Sequence, residues 1–132
     1  MRSGPQRHVP FTAHLAIRRD SAAAGEAVVS LDLQPHMLNN HDGGQGGVVM
    51  TLLDSAMANA ALSRVDFERE VVTVDMHVAF LRPALGRLVA TGRATGGGRS
   101  MCFCEASVVD ASGEVAAQAM GTFRYREPAP AA

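Results

Sequence analysis

The sequence predicts an α+β domain in which an antiparallel sheet of six strands curls around one long helix. Three observations carry this. One run, "GVVMTLLDSAMANAALSR" (47–64), is dominated by Ala, Leu and Met and has no Gly or Pro after its first residue, which fits a helix of four to five turns. The other segments are short, strand-like and bounded by turn residues, with hairpin connections such as "ASG" at 111–113. The helix is too apolar to be solvated all round, so the sheet has to wrap it.

Taken in order, "TAHLAIRR" (12–19) reads as a strand, "DSAAAGE" as a turn, and "AVVSLDLQP" (27–35) as a strand closed by Pro35. "HMLNNHDGGQGG" is a loop leading into the helix. "VVTVDMHVAFLRP" (71–83) alternates cleanly, which predicts Val72, Val74, Met76, Val78 and Phe80 on one face and Thr73, Asp75 and His77 on the other. "GRLVATGRAT" (86–95), "MCFCEASVVD" (101–110) and "EVAAQAMGTFRYR" (114–126) complete the sheet, with "GGGRS" as the turn before the second of them. Residues 1–10 and 127–132 read as flexible tails around a single domain spanning 11–126.

The 132 residues suffice for one domain with one core. With 47% apolar and 19% charged residues the balance is that of an ordinary globular chain, and a net charge of -1 offers no footprint for nucleic acid or an anionic membrane. All basic side chains are Arg, which excludes a P-loop lysine and a Schiff-base lysine. No stretch is long enough for a membrane span or a signal peptide, so a soluble, cytoplasmic protein is expected. Cys102 and Cys104, two apart in a strand, are placed to be buried free thiols rather than a disulfide.

Asp54 is the only charge between Gly43 and Ser63. It borders a stripe of Thr51, Ser55, Asn59 and Ser63, four residues apart. One reading makes Asp54 a solvated residue on an exposed helix face. The other makes that face covered by a subunit or ligand, since it carries no Lys, Arg or Glu and Asp is a poor helix former away from the first turn. The glycines of "DGGQGG" lead into the helix start, where backbone N–H groups lack intrahelical acceptors and the dipole favours negative charge. That is the physics of an oxyanion hole, and a loop that merely turns the chain would look the same. The spacing G-x-G-x-x-G is missing and there is no βαβ unit, which argues against a dinucleotide fold. His36, His41 and His77 have no cysteine or acidic pair beside them to make a metal site, and no Gly-x-Ser-x-Gly elbow is present.

The combination of Asn39, Gln45-Gly46-Gly47 and Asp54 with the strand "TVDMHVAFLRPA" and the hairpins "GGGRSMCFCEASVVDASGEVAAQAMGTF" resembles the hotdog-fold acyl-CoA thioesterases, in particular the phenylacetate-degradation (PaaI-like) branch. The likeness covers about residues 11 to 126. That family's pattern is Asn, Gly three later, His-Gly-Gly, and an acidic residue nine after the His. Here Gln45 stands for the His and Asp42 for the Gly. Gln can hydrogen-bond but cannot titrate as His does.

The resemblance implies that the Gly46 N–H polarises a thioester carbonyl and that Asp54, reached from a partner subunit, acts as general base or nucleophile. It implies that Asn39 orients the water or thioester, that Thr73 helps to hold the water, and that Gln45 supports the loop. For coenzyme A it points to Gly97, Gly98, Arg99 and Ser100 and to Arg82, although two solvated arginines near turns read the same from residues alone. Asp75 would shape the site with Thr73 or pair across an interface. Phe80, with Met50, Met57 and Leu81, would line an acyl pocket or belong to the core. The implied assembly is a homodimer joined sheet edge to sheet edge, often a dimer of dimers, with no cofactor beyond the CoA of the substrate and no metal. The expected activity is acyl-CoA hydrolysis. A binding protein that does not turn acyl-CoA over is the alternative suggested by Gln45 and Asp42, and a hotdog dehydratase or hydratase is a third.

Overall fold

Turn residues and a single long helix set the plan of the chain. The computed structural model describes residues 4–128. A short helix α1 (Pro10–His14) is followed by strands β1 (Arg18–Ala23) and β2 (Glu26–Asp32), a 3-10 turn at Pro35–Met37 and the long helix α2 (Gly46–Arg64). Strands β3 (Glu70–Phe80), β4 (Arg87–Gly97), β5 (Met101–Val109) and β6 (Val115–Arg126) complete it. All six strands join one antiparallel sheet in the order β1-β2-β4-β5-β6-β3, so β1 and β3 are its edges. The sheet curls around α2, as the apolar helix required. Among the described residues no helix is long and apolar enough to cross a membrane.

The helix buries Val49, Leu52, Leu53, Ala56, Met57, Ala60 and Ala61, a regular i, i+3, i+4 progression. Leu52, Leu53 and Met57 meet Val29, Leu31, Leu88, Val108 and Phe123 of the sheet. Each such side chain contributes about 1.5–3 kcal/mol by leaving water. Close approach is set at Gly92 on β4, where a Cβ would stand 2.5 Å from the Ala56 carbonyl oxygen. Only glycine lets the helix backbone lie that near the strand. The side of α2 turned away from β2, β4 and β5 looks out between the two sheet edges and is partly exposed, with Asp54 on it.

The structure corrects several expectations, and β2 ends at Asp32 rather than running on to Pro35, which instead opens the 3-10 turn. Residues Pro10–His14 are helical, where a strand over 12–19 was expected. Pro10 in the first turn presets a helical φ, and a left-handed Ala16 (φ 54) breaks the run before β1 begins at Arg18. The segment expected to be a turn at "DSAAAGE" is strand through Ala23, and the reversal is a two-residue hairpin at Ala24 and Gly25, both at positive φ. Finally, β3 does not alternate through its length. A bulge between Thr73 and Asp75 puts Thr73 opposite the buried Phe123, on the helix side, while Met76 and Val78 also pack on the core. Asp75 and His77 thereby face away from the helix, and Thr73 does not share their face.

Ser63 also leaves the predicted polar stripe. It is buried, donates to the Ala60 carbonyl and accepts the Gly25 N–H. Cys102 and Cys104 are free and buried, with their sulfurs 3.7 Å apart. Of the segments expected to be tails, residues 1–3 and 129–132 lie outside the described residues. The Gly4 N–H reaches the Ala22 carbonyl, and Pro10 already belongs to α1.

Candidate active site

The bulge in β3 creates the central contact. By turning Thr73 towards α2 it lets the Thr73 hydroxyl donate to Asp54 Oδ1 at 2.7 Å. Asp54 lies two turns into the helix and is half-buried. Among the described residues no arginine or histidine forms an ion pair with it. Burial pushes the Asp54 carboxyl above the ordinary aspartate range, and the Thr73 hydrogen bond opposes part of that rise. The result is a carboxylate with one oxygen held and one oxygen open, destabilised as an anion and therefore more basic. Its polar neighbours do not compete for it. Thr51 Oγ1 donates to the Gly47 carbonyl and Asn59 Nδ2 to the Ser55 carbonyl, both within the helix.

The second group of residues gathers at the start of α2. Asn39 Oδ1 accepts the N–H groups of His41 (2.8 Å) and Gly43 (3.1 Å), so this oxygen organises the loop. Asp42 sits at φ 64, a left-handed conformation that glycine adopts freely and Asp tolerates. The four glycines divide into two pairs. Gly43 and Gly44 are buried, and a Cβ at Gly44 would press on Leu33 at 3.2 Å. The Gly44 N–H donates to Ala84 and the Gln45 N–H to Met37, which pins the loop. Gly46 and Gly47 form the first turn of α2, and their N–H groups donate to no acceptor among the described residues. Gln45 is the N-cap, exposed, with its side chain making no capping bond. The Phe80 ring lies over Gly46, 3.5 Å from where a Cβ would be. Asn39, Gly44, Gly46, Phe80, Leu81 and Arg82 help to line a cleft of ≈ 320 Å³ here.

These two groups are separated within one chain. Gly46 and Asp54 are eight residues apart on one helix, a rise of about 12 Å. A carbonyl bonded to the Gly46 N–H is out of reach of the same chain's Asp54. Arg82, near the helix start, pairs with Glu114 at 3.0 Å. Gly97, Gly98, Arg99 and Ser100 lie at the opposite end of α2, where Arg64 Nη1 donates to the Gly98 carbonyl at 3.2 Å. Asp75 and His77 sit on the outer face of the sheet, His77 opposite Met120. Met57 is core and Met50 exposed. The Arg64 contact went unread in the sequence; a basic residue in the last helical turn is its only local sign.

A curled six-stranded sheet around one helix, with a half-buried acid on that helix and open N–H groups at its start, defines a class that the comparisons match. Residues 46–117 fit the model of the thioesterase superfamily. A Halobacterium salinarum protein that carries a provisional esterase name is 31% identical over 122 residues, covering 83% of this chain and 80% of that protein. The PaaI protein of the Escherichia coli phenylacetic acid degradation operon superposes with a TM-score of 0.81 at 26% identity, covering 88% of this chain and 83% of that one. A thioesterase family protein from Silicibacter pomeroyi gives 0.85 at 27% identity, with 91% of each chain covered. The chain belongs to the thioesterase superfamily and has its hotdog fold, on the PaaI-like branch. Its chemistry is accordingly that of a thioesterase or esterase.

Proposed function

We propose that this protein hydrolyses acyl-CoA thioesters to a carboxylic acid and free CoA, as a homodimer with its sites at the subunit interface. The observation that carries the reading is the half-buried Asp54 carboxylate, bonded by Thr73 and unpaired with any cation among the described residues. The Gly46 N–H of one subunit holds the thioester oxygen, and Asp54 of the other works on the carbonyl carbon. In the general-base route Asp54 takes a proton from water as the water oxygen adds to that carbon. The charge moves to the carbonyl oxygen at Gly46, and the C–S bond then breaks to release the CoA thiolate, which is protonated. Direct attack by Asp54 would instead give a mixed anhydride that water cleaves.

The second subunit is required by the distance of about 12 Å between Gly46 and Asp54 along one helix. It is supplied naturally by β3, an eleven-residue edge strand that exposes Val72, Val74 and Phe80. The strand carries neither Lys nor Pro to blunt it, so it is a template for pairing with a second copy. Antiparallel pairing of two such edges sets the open sides of the two α2 helices against each other. Pairing of these dimers, and a role for Phe80 and Leu81 against the acyl group, fit the same reading. The buried, unoxidised Cys102 and Cys104 suit a reducing compartment such as the cytoplasm.

The test is free-thiol release from a panel of short, long and aromatic acyl-CoAs. Turnover of at least one member with saturation kinetics is expected. Tight binding of a non-hydrolysable analogue with no thiol released from any member would instead mark an acyl-CoA-binding protein.

A further inference from the structure

We propose that the cleft beside the start of α2 seats the acyl group and that Arg82 at its rim selects acyl chains ending in a second carboxylate, so that the substrate class is a short ω-carboxyacyl thioester. The inference rests on the thioesterase reading above for the seat of the thioester oxygen at the Gly46 N–H. The walls of this ≈ 320 Å³ cleft are Val49, Phe80, Leu81, Pro83, Ala84 and Ala116. Asn39 and Arg82 carry the only polar side chains lining it, and Asn39 Oδ1 is already engaged by the N–H groups of His41 and Gly43. The pantetheine arm of CoA has two amides, which would lose their water here without finding partners. A hydrocarbon chain is stabilised by the same walls. Of the two arms that leave the thioester carbon, the acyl arm therefore enters the cleft.

An apolar cleft with one cation at its rim suits a chain that is apolar along its length and anionic at its end. Arg82 is the only ionisable residue lining the cleft. Its Nη1 pairs with Glu114 Oε2 at 3.0 Å, with the two side chains 45% and 59% exposed. An ion pair that open to water holds weakly. It also leaves Nε and Nη2 without an acceptor among the described residues, and that edge of the guanidinium takes a carboxylate through two parallel bonds. The backbone beneath Arg82 is fixed. The N–H groups of Leu81 and Arg82 both donate to the Ala116 carbonyl, at 2.8 and 3.2 Å, and the Gly44 N–H donates to the Ala84 carbonyl at 2.8 Å. The segment after β3 is thus bonded to β6 on one side and to the glycine loop on the other, so the cleft is formed before a ligand arrives.

The span also fits. Gly46 and Arg82 line the same cleft, and a rounded space of ≈ 320 Å³ is about 9 Å across. In a six-carbon diacid the two terminal carbons are five bonds apart, about 6 Å when extended at about 3.5 Å per three bonds. A hydrogen bond of about 2.8 Å to the guanidinium completes the distance. A CoA phosphate does not fit this position. Its phosphorus lies roughly thirteen bonds from the sulfur, about 15 Å when extended, and on the arm that leads out of the cleft.

The experiment titrates the full-length protein calorimetrically with two non-hydrolysable thioethers, S-hexyl-CoA and S-(5-carboxypentyl)-CoA. They share the CoA and differ in the terminal carboxylate. Free-thiol release from hexanoyl-CoA and adipyl-CoA is measured beside them. The parent should bind the carboxylated thioether about tenfold tighter and show a similar preference in kcat/KM. Arg82→Gln should remove that preference. Glu114→Gln should widen it, because it takes a competing carboxylate away from the guanidinium, and it carries the test if Arg82→Gln melts below assay temperature. Equal binding of the two thioethers by the parent, an Arg82→Gln variant that weakens both alike, as loss of a CoA phosphate contact would, or a preference that Glu114→Gln leaves unmoved would each overturn the proposal. Failure of the parent to release thiol from any CoA ester would sink the thioesterase reading instead, and the titration would still decide this one.

Discussion

At Asp54 the competing influences on one carboxyl can be separated by substitution. Burial raises its pKa and the Thr73 hydrogen bond lowers it, with burial the larger effect. In the proposed reaction the reactive form is the anion, so kcat/KM should fall on acidification through a pKa above the ordinary aspartate value. Thr73→Val removes the bond that favours the anion, and the acidic limb should move to higher pH in a pH–rate profile. A limb that stays put would remove Thr73 from the site. Stability follows with its own sign. A folded-state pKa above the unfolded one means that the ionised carboxyl costs stability, fully at neutral pH and not at all below the unfolded pKa. Asp54→Asn should therefore melt at or above the parent temperature at pH 7, because Asn keeps an oxygen for Thr73 and sheds the desolvated charge. A clear loss of Tm would show that Asp54 is a structural group.

The elements show what local sequence reveals and where it stops. Helix α2 was legible to within a residue, because its composition and its buried i, i+3, i+4 positions agree. The strands β4, β5 and β6 were legible from alternation and turn residues. Strand β3 was legible as a strand and misleading as a pattern, since a bulge inserts one residue without altering local preference. Nothing in "VVTVDMH" marks Val74 as the extra one, so the face on which Thr73 stands is a tertiary fact. The short helix α1 was hidden by its apolar, strand-like continuation. Asp54 stood out by charge isolation and the glycine pairs by their place before the helix, but both left bland readings open and the roles of Gly46 and Asp54 came only from the family resemblance; their separation of about 12 Å follows from helix rise alone. Gly92 carried no such signal, because its need arises from a helix backbone 36 residues away in sequence. Gly92→Val should cost about 3 kcal/mol by forcing β4 and α2 apart, measurable by urea denaturation. A loss under about 0.5 kcal/mol, the range of a surface change, would mean that the close approach is not required.

At the scale of the whole molecule the proposed reaction requires two copies, because one helix cannot bring its own Gly46 and Asp54 to one carbonyl. Val72→Lys/Val74→Lys places charge along the free edge of β3 and should give monomers in sedimentation with hydrolysis lost. Full activity in a monomer would contradict the shared site. The class of chemistry is given by the superfamily, whereas the residues that perform it are a proposal, and that proposal is what most needs measurement. The most direct test is thiol release by Asp54→Asn from the best acyl-CoA of the parent. A kcat lower by about 100-fold or more is expected, the scale of a lost general base, with KM little changed. A kcat equal to that of the parent would contradict it.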